Sequence, residues 1–126
     1  MLFRSGVLAS VQMVKRLFIP TGVKFATELA GSIAAMKAVS VSASVQKDLL
    51  ATVNELLSGA AEKLTTLEAS MEKAHHVAEV AKRAEAFRDK VVVAMNDLRK
   101  DIDALESVTP AELWPVPTYA DMLFKL

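Results

Sequence analysis

The chain has 126 residues, of which 52% are hydrophobic, and its 15 basic side chains are balanced by 15 acidic ones. This length allows one domain with a single modest core, and the balanced charge excludes an overall field that attracts nucleic acid or anionic lipid. The absence of cysteine excludes disulfides, thiolate catalysis and Cys-ligated zinc. Scarce glycine and proline favour long helices.

The first predicted helix covers about residues 6–40. Its apolar residues recur at three-to-four spacing, which is typical of a helix with one buried face. They are Val7, Val11, Val14, Phe18, Val23, Ala26, Ala30 and Ile33. Pro20 lies inside this helix and predicts a kink, with Ile19 displaced from helical geometry. Only Ser5 is available to cap the start, so residues 1–10 are assigned either to an artefact or to a truncated helix start.

A hydroxyl-rich linker, Ser40–Ser44, precedes the second helix, which Ser44 is expected to cap. The second helix covers roughly residues 45–73, and the third covers about Val77–Leu105. The apolar residues of the second are Leu49, Val53, Leu56, Ala60, Leu64, Leu67 and Met71. The third carries a heptad seam of Val77, Ala84, Val91, Leu98 and Leu105, with Val80, Phe87 and Ala94 between them. Lys73–His76 contains neither Gly nor Pro, so a continuous rod stays open beside the favoured hairpin.

Residues 109–126 change in character and are assigned to a docking tail. Thr109–Glu112 predicts a capping box and a short helical turn, and the later prolines predict extended chain. The aromatic side chains are expected to dock in a groove rather than stay in water. The docking residues are Trp114, Pro115, Pro117, Thr118, Tyr119, Asp121, Leu123 and Phe124. The whole pattern predicts an all-α fold: an antiparallel hairpin or bundle of three main helices over residues 11–108, the first kinked at Pro20, with an extended tail.

These tail residues resemble the closing motif of type III glutamine synthetases. The third helix is similar to the family's last long helix at Arg88, Asp89, Val91, Ala94, Met95, Leu98, Arg99, Asp103, Leu105 and Glu106. The first helix resembles the family's first C-terminal helix at Met13, Val14, Ile19 and Pro20. The resemblance covers residues 11–126. It departs at Val116, Ala120 and Met122, where the family usually has an aromatic residue, a glycine and a leucine.

The resemblance implies a cytoplasmic parent enzyme that joins ammonia to glutamate, using ATP and Mg²⁺ or Mn²⁺ through a γ-glutamyl phosphate. It also implies stacked hexameric rings with active sites between neighbouring subunits. The family's metal and nucleotide ligands lie on a catalytic sheet that has no counterpart in this sequence, so no catalytic, cofactor-binding or metal residue is assigned. The implied role is a non-catalytic C-terminal assembly segment, whose partners are the catalytic domain and neighbouring subunits, not nucleic acid or membrane.

Two groups of polar residues have spacings that also occur in metal or acid–base sites. The groups are His75 and His76 with Glu72 and Glu79, and the carboxylates Asp97, Asp101 and Asp103. Adjacent histidines point in different directions on a helix, so solvated residues at a helix joint are the favoured interpretation. The three carboxylates alternate with basic residues, which favours a solvated, ion-paired face.

Two further functions stay open. A stand-alone helical oligomerisation or interaction module would associate through the heptad seam and would need no upstream partner. A membrane-surface binder is suggested by the first 27 residues, which contain no acid. Glu28 and the neutral overall charge disfavour this interpretation. A bilayer-crossing segment is disfavoured because Lys15 and Arg16 interrupt the best apolar stretch.

Overall fold

The computed structural model describes residues 2–115, which form helices joined by short turns and contain no β-strand. The first helical length comprises α1 (Leu2–Met13), a π-helical turn (Val14–Phe18) and α2 (Ile19–Ala38). The second length is α3 (Ser44–His75). The third comprises α4 (Val80–Ala86), a second π-helical turn (Phe87–Val91) and α5 (Val92–Val108). The predicted all-α fold with three main helical lengths is confirmed.

The first length and α3 are antiparallel. Lys15 lies 2.6 Å from Glu68 of α3, measured from Nζ to Oε2. Ser32, farther along the first length, accepts a hydrogen bond from Gln46, which is nearer the start of α3. Because the partner's residue number falls as the chain advances, the two helices run in opposite directions.

α3 and the third length are antiparallel as well. Lys63 of α3 pairs with Asp101 across 3.0 Å, whereas Lys73, farther along α3, lines a surface cavity with the earlier Lys90. The chain reverses over residues 76–79, between the end of α3 and the start of α4. The favoured hairpin at this joint therefore forms, and a continuous rod does not.

α3 supplies the centre of the hydrophobic core. Its buried residues are Val53, Leu57, Ala60, Leu64, Leu67, Met71 and Ala74. The first length packs on them with Val7, Val11, Val14, Phe18, Phe25 and Leu29, and the third with Phe87, Val91, Ala94, Met95, Leu98, Ile102 and Leu105. Full burial of one Val, Leu, Ile or Phe side chain stabilises a fold by about 1.5–3 kcal/mol, so this shared core is the main source of stability.

The predicted apolar face of the first helix is correct up to Phe18 and only partly correct after it, where Ala26 and Ile33 are half-buried but Val23 and Ala30 are exposed. The structure buries Gly22, Phe25 and Leu29, whereas the side chain of Val23 is 51% exposed. A hydrophobicity pattern passes over Gly22 because glycine has no apolar side chain. The pattern therefore predicts burial of the next apolar residue, Val23, which instead faces solvent.

A π-helical turn directly upstream accommodates Pro20. Ile19 has φ −63° and ψ −48°, inside the α-helical region, so the predicted displacement of Ile19 is wrong. The N–H of Ile19 donates to the carbonyl of Val14, five residues back, which is the wide hydrogen bond of a π-turn. A proline ring clashes with the carbonyl four residues earlier in a regular α-helix, and the wider turn before Pro20 relieves that clash.

The predicted third helix is interrupted in its first half. α4 buries no residue, and two predicted seam residues within it, Val80 and Ala84, are exposed. The seam forms only from Phe87 onward. A π-turn inserts about one extra residue, which rotates the helix faces on either side by roughly 100° relative to each other. Val80 and Ala84, the predicted seam residues of α4, therefore face solvent.

The predicted cap of the second helix does not form. α3 already includes Ser44, and Ala43 occupies the capping position without a side-chain hydrogen bond. Ala43 is buried, so this position contributes an apolar contact in place of a capping hydroxyl.

The end of α2 is closed by a serine in the left-handed region. Ser40 has φ 60°, and its N–H donates to the carbonyl of Lys37 across 3.1 Å. The N–H of Val41 reaches back to Met36 across 2.9 Å. This pair of bonds is the Schellman arrangement, in which glycine is the usual left-handed residue.

We expect Ser40→Gly to raise the free energy of unfolding by about 0.5–1 kcal/mol, because glycine adopts positive φ without the steric cost of a Cβ atom. Urea denaturation followed by circular dichroism measures the change. Ser42→Gly, in the same linker, is the matched control and is expected to give no gain. A Ser40→Gly protein less stable than the original would contradict the prediction.

Two glycines of α2 are expected to respond oppositely to alanine. A Cβ atom at Gly22 would lie 2.5 Å from Leu57 Cδ2 and 3.1 Å from Leu105 Cδ2, whereas a Cβ atom at Gly31 meets nothing within 4 Å. Both changes gain about 1 kcal/mol of helix propensity, but Gly22→Ala also overpacks the core at a cost of about 1–3 kcal/mol. Gly31→Ala should therefore be the more stable variant by about 1–3 kcal/mol in thermal or urea unfolding.

Candidate functional site

The base of the predicted docking tail lies where α5 ends. Thr109 leaves the helix with φ −92° and ψ 136°, and its Oγ1 donates to the carbonyl of Leu105 across 2.7 Å. The predicted capping box is therefore not formed, because the Thr109 hydroxyl binds the preceding helix instead of the turn that follows.

A single hydrogen-bonded turn follows Thr109. The N–H of Leu113 donates to the carbonyl of Pro110 across 2.9 Å. The N–H of Trp114 donates to the carbonyls of Pro110 and Ala111 across 3.3 and 3.2 Å. These bonds form the predicted short turn, and they hold the Trp114 backbone against the end of α5.

Trp114 packs on the chain's own first helical length. Its ring is stacked on that of Phe18, with centroids 5.0 Å apart and planes 10° from parallel. Trp114 is 5% exposed and Phe18 is fully buried. Aromatic stacking of this kind adds about 0.5–1.5 kcal/mol to the stabilisation from buried area, so this contact joins the end of the chain to the core.

The indole N–H of Trp114 is buried, and no residue between 2 and 115 provides a hydrogen-bond acceptor for it. An unpaired buried donor costs about 1–3 kcal/mol. Stacking and the burial of apolar area, rather than a hydrogen bond from the indole, therefore hold the Trp114 ring in place.

The structure places two of the predicted docking residues. Trp114 lies in the core, and Pro115 beside it is exposed. The remaining ones, Pro117, Thr118, Tyr119, Asp121, Leu123 and Phe124, lie outside the described residues. Docking by these residues stays a prediction.

The histidines lie on the surface at the end of α3. His76 Nε2 is 2.6 Å from Glu72 Oε1, and both side chains are 70% exposed. The rings of His75 and His76 meet edge to face, with centroids 5.5 Å apart. Within residues 2–115, no three His, Cys, Asp or Glu side chains are grouped closely enough to hold a metal ion.

The three carboxylates of α5 have different surroundings. Asp97 is exposed, and Asp103 lies 3.5 Å from Arg99 on its own helix. Asp101 instead reaches across to α3, where its Oδ2 is 3.0 Å from Lys63 Nζ. The predicted ion-paired face thus includes one pair that links two helices.

Gly59 makes room for the Asp101 carboxylate. A Cβ atom at Gly59 would lie 2.7 Å from Asp101 Oδ2, so the missing side chain lets the carboxylate approach the α3 backbone. The Asp101 side chain is only 16% exposed. Gly59, Lys63 and Asp101 together form a polar joint between α3 and α5.

An apolar surface, here called the apolar tip, lies at the turn between α2 and α3. It consists of Val39, Val41 and Val45, which are 52–74% exposed. A cavity of about 370 Å³ lies beside it, between Lys37 and Lys47. The sequence pattern does not point to these valines, because they lie in the linker and at the first turn of α3, outside the three-to-four pattern of buried residues.

No helix within the described part of the chain is both long enough and apolar enough to cross a membrane. No protein-family model, no curated protein and no solved structure matches this chain. The resemblance to type III glutamine synthetases therefore rests on the sequence motifs alone.

Two interhelical lysines test how much burial matters in an ion pair. Lys63→Ala removes the partner of the largely buried Asp101 and is expected to lower the free energy of unfolding by about 1–2 kcal/mol. Lys15→Ala is the matched control. Its pair with Glu68 is shorter, at 2.6 Å, but both side chains are at least 40% exposed, so the expected loss is below about 1 kcal/mol. Urea denaturation measures both, and a larger loss for Lys15→Ala would contradict the prediction.

Proposed function

We propose that this chain is the C-terminal helical segment of a type III glutamine synthetase, where it serves assembly and takes no part in the chemistry. The parent reaction joins ammonia to glutamate at the expense of ATP, with Mg²⁺ or Mn²⁺. The segment packs on the catalytic domain and on neighbouring subunits of a cytoplasmic homo-oligomer. The observation that carries the proposal is the closing motif from Trp114 to Phe124, which follows helices in the order seen in the family.

The environment of the charged side chains supports a non-catalytic role. Within residues 2–115, the ion pairs lie on helix surfaces, as in His76 with Glu72 and Arg99 with Asp103. The most buried carboxylate of such a pair, Asp101, links two helices. Catalytic acids and bases are usually gathered in a cleft that changes their proton affinity, and the arrangement described here is that of a structural bundle.

The alternative is a stand-alone helical oligomerisation or interaction module. The predicted route of association, through the heptad seam, conflicts with burial of that seam. Val91, Leu98 and Leu105 are fully buried within the chain, so they cannot also form an interface between copies. An oligomer of this chain would need another surface, such as the apolar tip.

The membrane-surface alternative meets a similar obstacle. Val7, Val11 and Val14 of the first helical length are buried against the rest of the bundle. A helix that lies on a membrane inserts its apolar face into the lipid, and here that face is already occupied.

Two proteins from the same locus test the proposed function. The 126-residue chain alone is expected to form no glutamine from glutamate, ammonia and ATP with Mg²⁺ or Mn²⁺. The DNA upstream of the Met1 codon is expected to continue in frame and to encode a glutamate-rich catalytic sheet, and the joined protein is expected to form glutamine. A stop codon followed by a start signal directly upstream would favour the stand-alone module. Glutamine formation by the 126-residue chain itself would contradict the non-catalytic role.

A further inference from the structure

We propose that a cavity between the end of α3 and the second π-helical turn binds a small phosphate monoester. This cavity, here called the lysine cavity, has a volume of about 270 Å³, just below the range of about 300–1,000 Å³ for drug-sized ligands. Its lining residues are Ser70, Lys73, Ala74, Val77, Ala86 and Lys90. All of them belong to this chain, so the site does not depend on the proposed function.

Two lysines from different helical lengths supply the positive charge of the lysine cavity. Lys73 belongs to α3 and Lys90 to the second π-turn. Neither forms an ion pair within residues 2–115, whereas Lys63 and Lys82 each pair with a carboxylate. Neither has Asp or Glu three or four residues away, the spacing at which charges on a helix compensate each other. An anion between the two ammonium groups would compensate both.

The acidic side chains near this reversal of the chain do not neutralise the cavity. Those that pair with basic side chains are Glu72 with His76, Glu79 with Lys82, and Asp89 with Arg88. The remaining acid between residues 70 and 90, Glu85, is exposed and does not line the cavity. The charge that faces the cavity from the described residues is therefore positive.

The main-chain carbonyl groups at the end of α3 are occupied as well. The last ones of the helix accept hydrogen bonds from the N–H groups of His76 and Val77. The carbonyls of Val77 and Ala78 accept from the Arg83 guanidinium across 2.9 and 3.4 Å. The carbonyls at a helix C-terminus repel an anion, and these donors, above all the charged Arg83, reduce that repulsion.

One wall of the lysine cavity is formed at the second π-turn. The N–H of Val92 donates to the carbonyl of Phe87, five residues back. Ala86, directly before this turn, and Lys90, within it, both line the cavity. Such turns inside α-helices occur frequently at functional sites. The feature that interrupts the predicted heptad seam therefore also provides part of a ligand cavity.

The lining residues suit a phosphate group that carries a small apolar substituent. Lysine binds phosphate as a point charge, whereas a carboxylate is matched best by the planar fork of arginine. Ser70 is half-buried and offers a hydroxyl that can donate a further hydrogen bond. Ala74 is 1% exposed, and Val77 and Ala86 are half-buried, so the carbon part of the ester has an apolar wall to contact.

The cavity beside the apolar tip also lies between two lysines, Lys37 and Lys47. Part of its lining comes from Ser40, Val41 and Ser42 of the exposed linker. The lysine cavity lies instead between two packed helical lengths, which offer more contact to the carbon part of an ester. Lys37 and Lys47 therefore serve as the matched control for Lys73 and Lys90.

Titration of phenyl phosphate into the ¹⁵N-labelled 126-residue chain, followed by NMR at low ionic strength, tests the site. Saturable shifts are expected for the amide signals of Ser70, Lys73, Ala86 and Lys90, with a dissociation constant of about 1 mM. Inorganic phosphate lacks the apolar part and is expected to bind about tenfold more weakly. Equal binding of the two probes would overturn the role of the apolar wall. Absence of saturable shifts at these residues with about 20 mM phenyl phosphate would overturn the site itself.

Methionine variants show whether the two lysines are responsible, because methionine keeps most of the lysine stem and removes the charge. Lys73→Met and Lys90→Met are each expected to weaken binding about tenfold, the effect of losing one charge-assisted hydrogen bond. Both lysines are exposed, so circular dichroism should show both variants folded. Lys90→Arg keeps the charge and should retain most of the affinity.

A double variant separates a local site from general attraction to basic surface. Lys37→Met combined with Lys47→Met loses the same charge as Lys73→Met combined with Lys90→Met, and it is expected to bind phenyl phosphate like the original chain. Equal weakening by the two double variants would overturn the proposal, since the overall charge would then explain binding.

Discussion

The buried face of α3 is the constraint on which the rest of the molecule depends. The first and third helical lengths both pack on it, and they meet beside it at Gly22, which has Leu57 of α3 and Leu105 of α5 as its nearest contacts. Glycine at this point lets three helices approach closely, because any side chain would need the space of two buried leucines. The tail depends on the same core, since Trp114 closes over Phe18 one helical turn away.

Regular helical burial was the part of the fold that the sequence could predict. Leu64, Leu67 and Met71 repeat at three-to-four spacing over a long uninterrupted helix, and all are buried as the spacing indicates. The wrong predictions of burial occur where the buried residues are not apolar side chains repeated at a constant spacing. Gly22 is buried without a side chain, and the π-turn ending at Val91 shifts the helix face by one residue. Neither a missing side chain nor a wider hydrogen bond leaves a signal in hydrophobic periodicity.

The tail shows a different limit of sequence reasoning. An apolar aromatic residue beside prolines predicts burial, and Trp114 is buried, but the sequence does not say against which surface. Its contact, Phe18, lies at the other end of the chain, and the two become neighbours only after three helical lengths have packed. The ion pair between Asp101 and Lys63 could not be predicted for the same reason. Arg99 and Lys100 are close to Asp101 in the sequence and are the ion-pair partners that the sequence suggests.

Two unfavourable features of the structure have costs that can be compared with the stabilisation from the core. The left-handed Ser40 costs about 1–2 kcal/mol, and the unpaired indole N–H of Trp114 costs about 1–3 kcal/mol. Burial of a single large apolar side chain stabilises by about 1.5–3 kcal/mol, and α3 alone buries seven apolar residues. The burial of about two or three of these side chains is therefore enough to offset both costs.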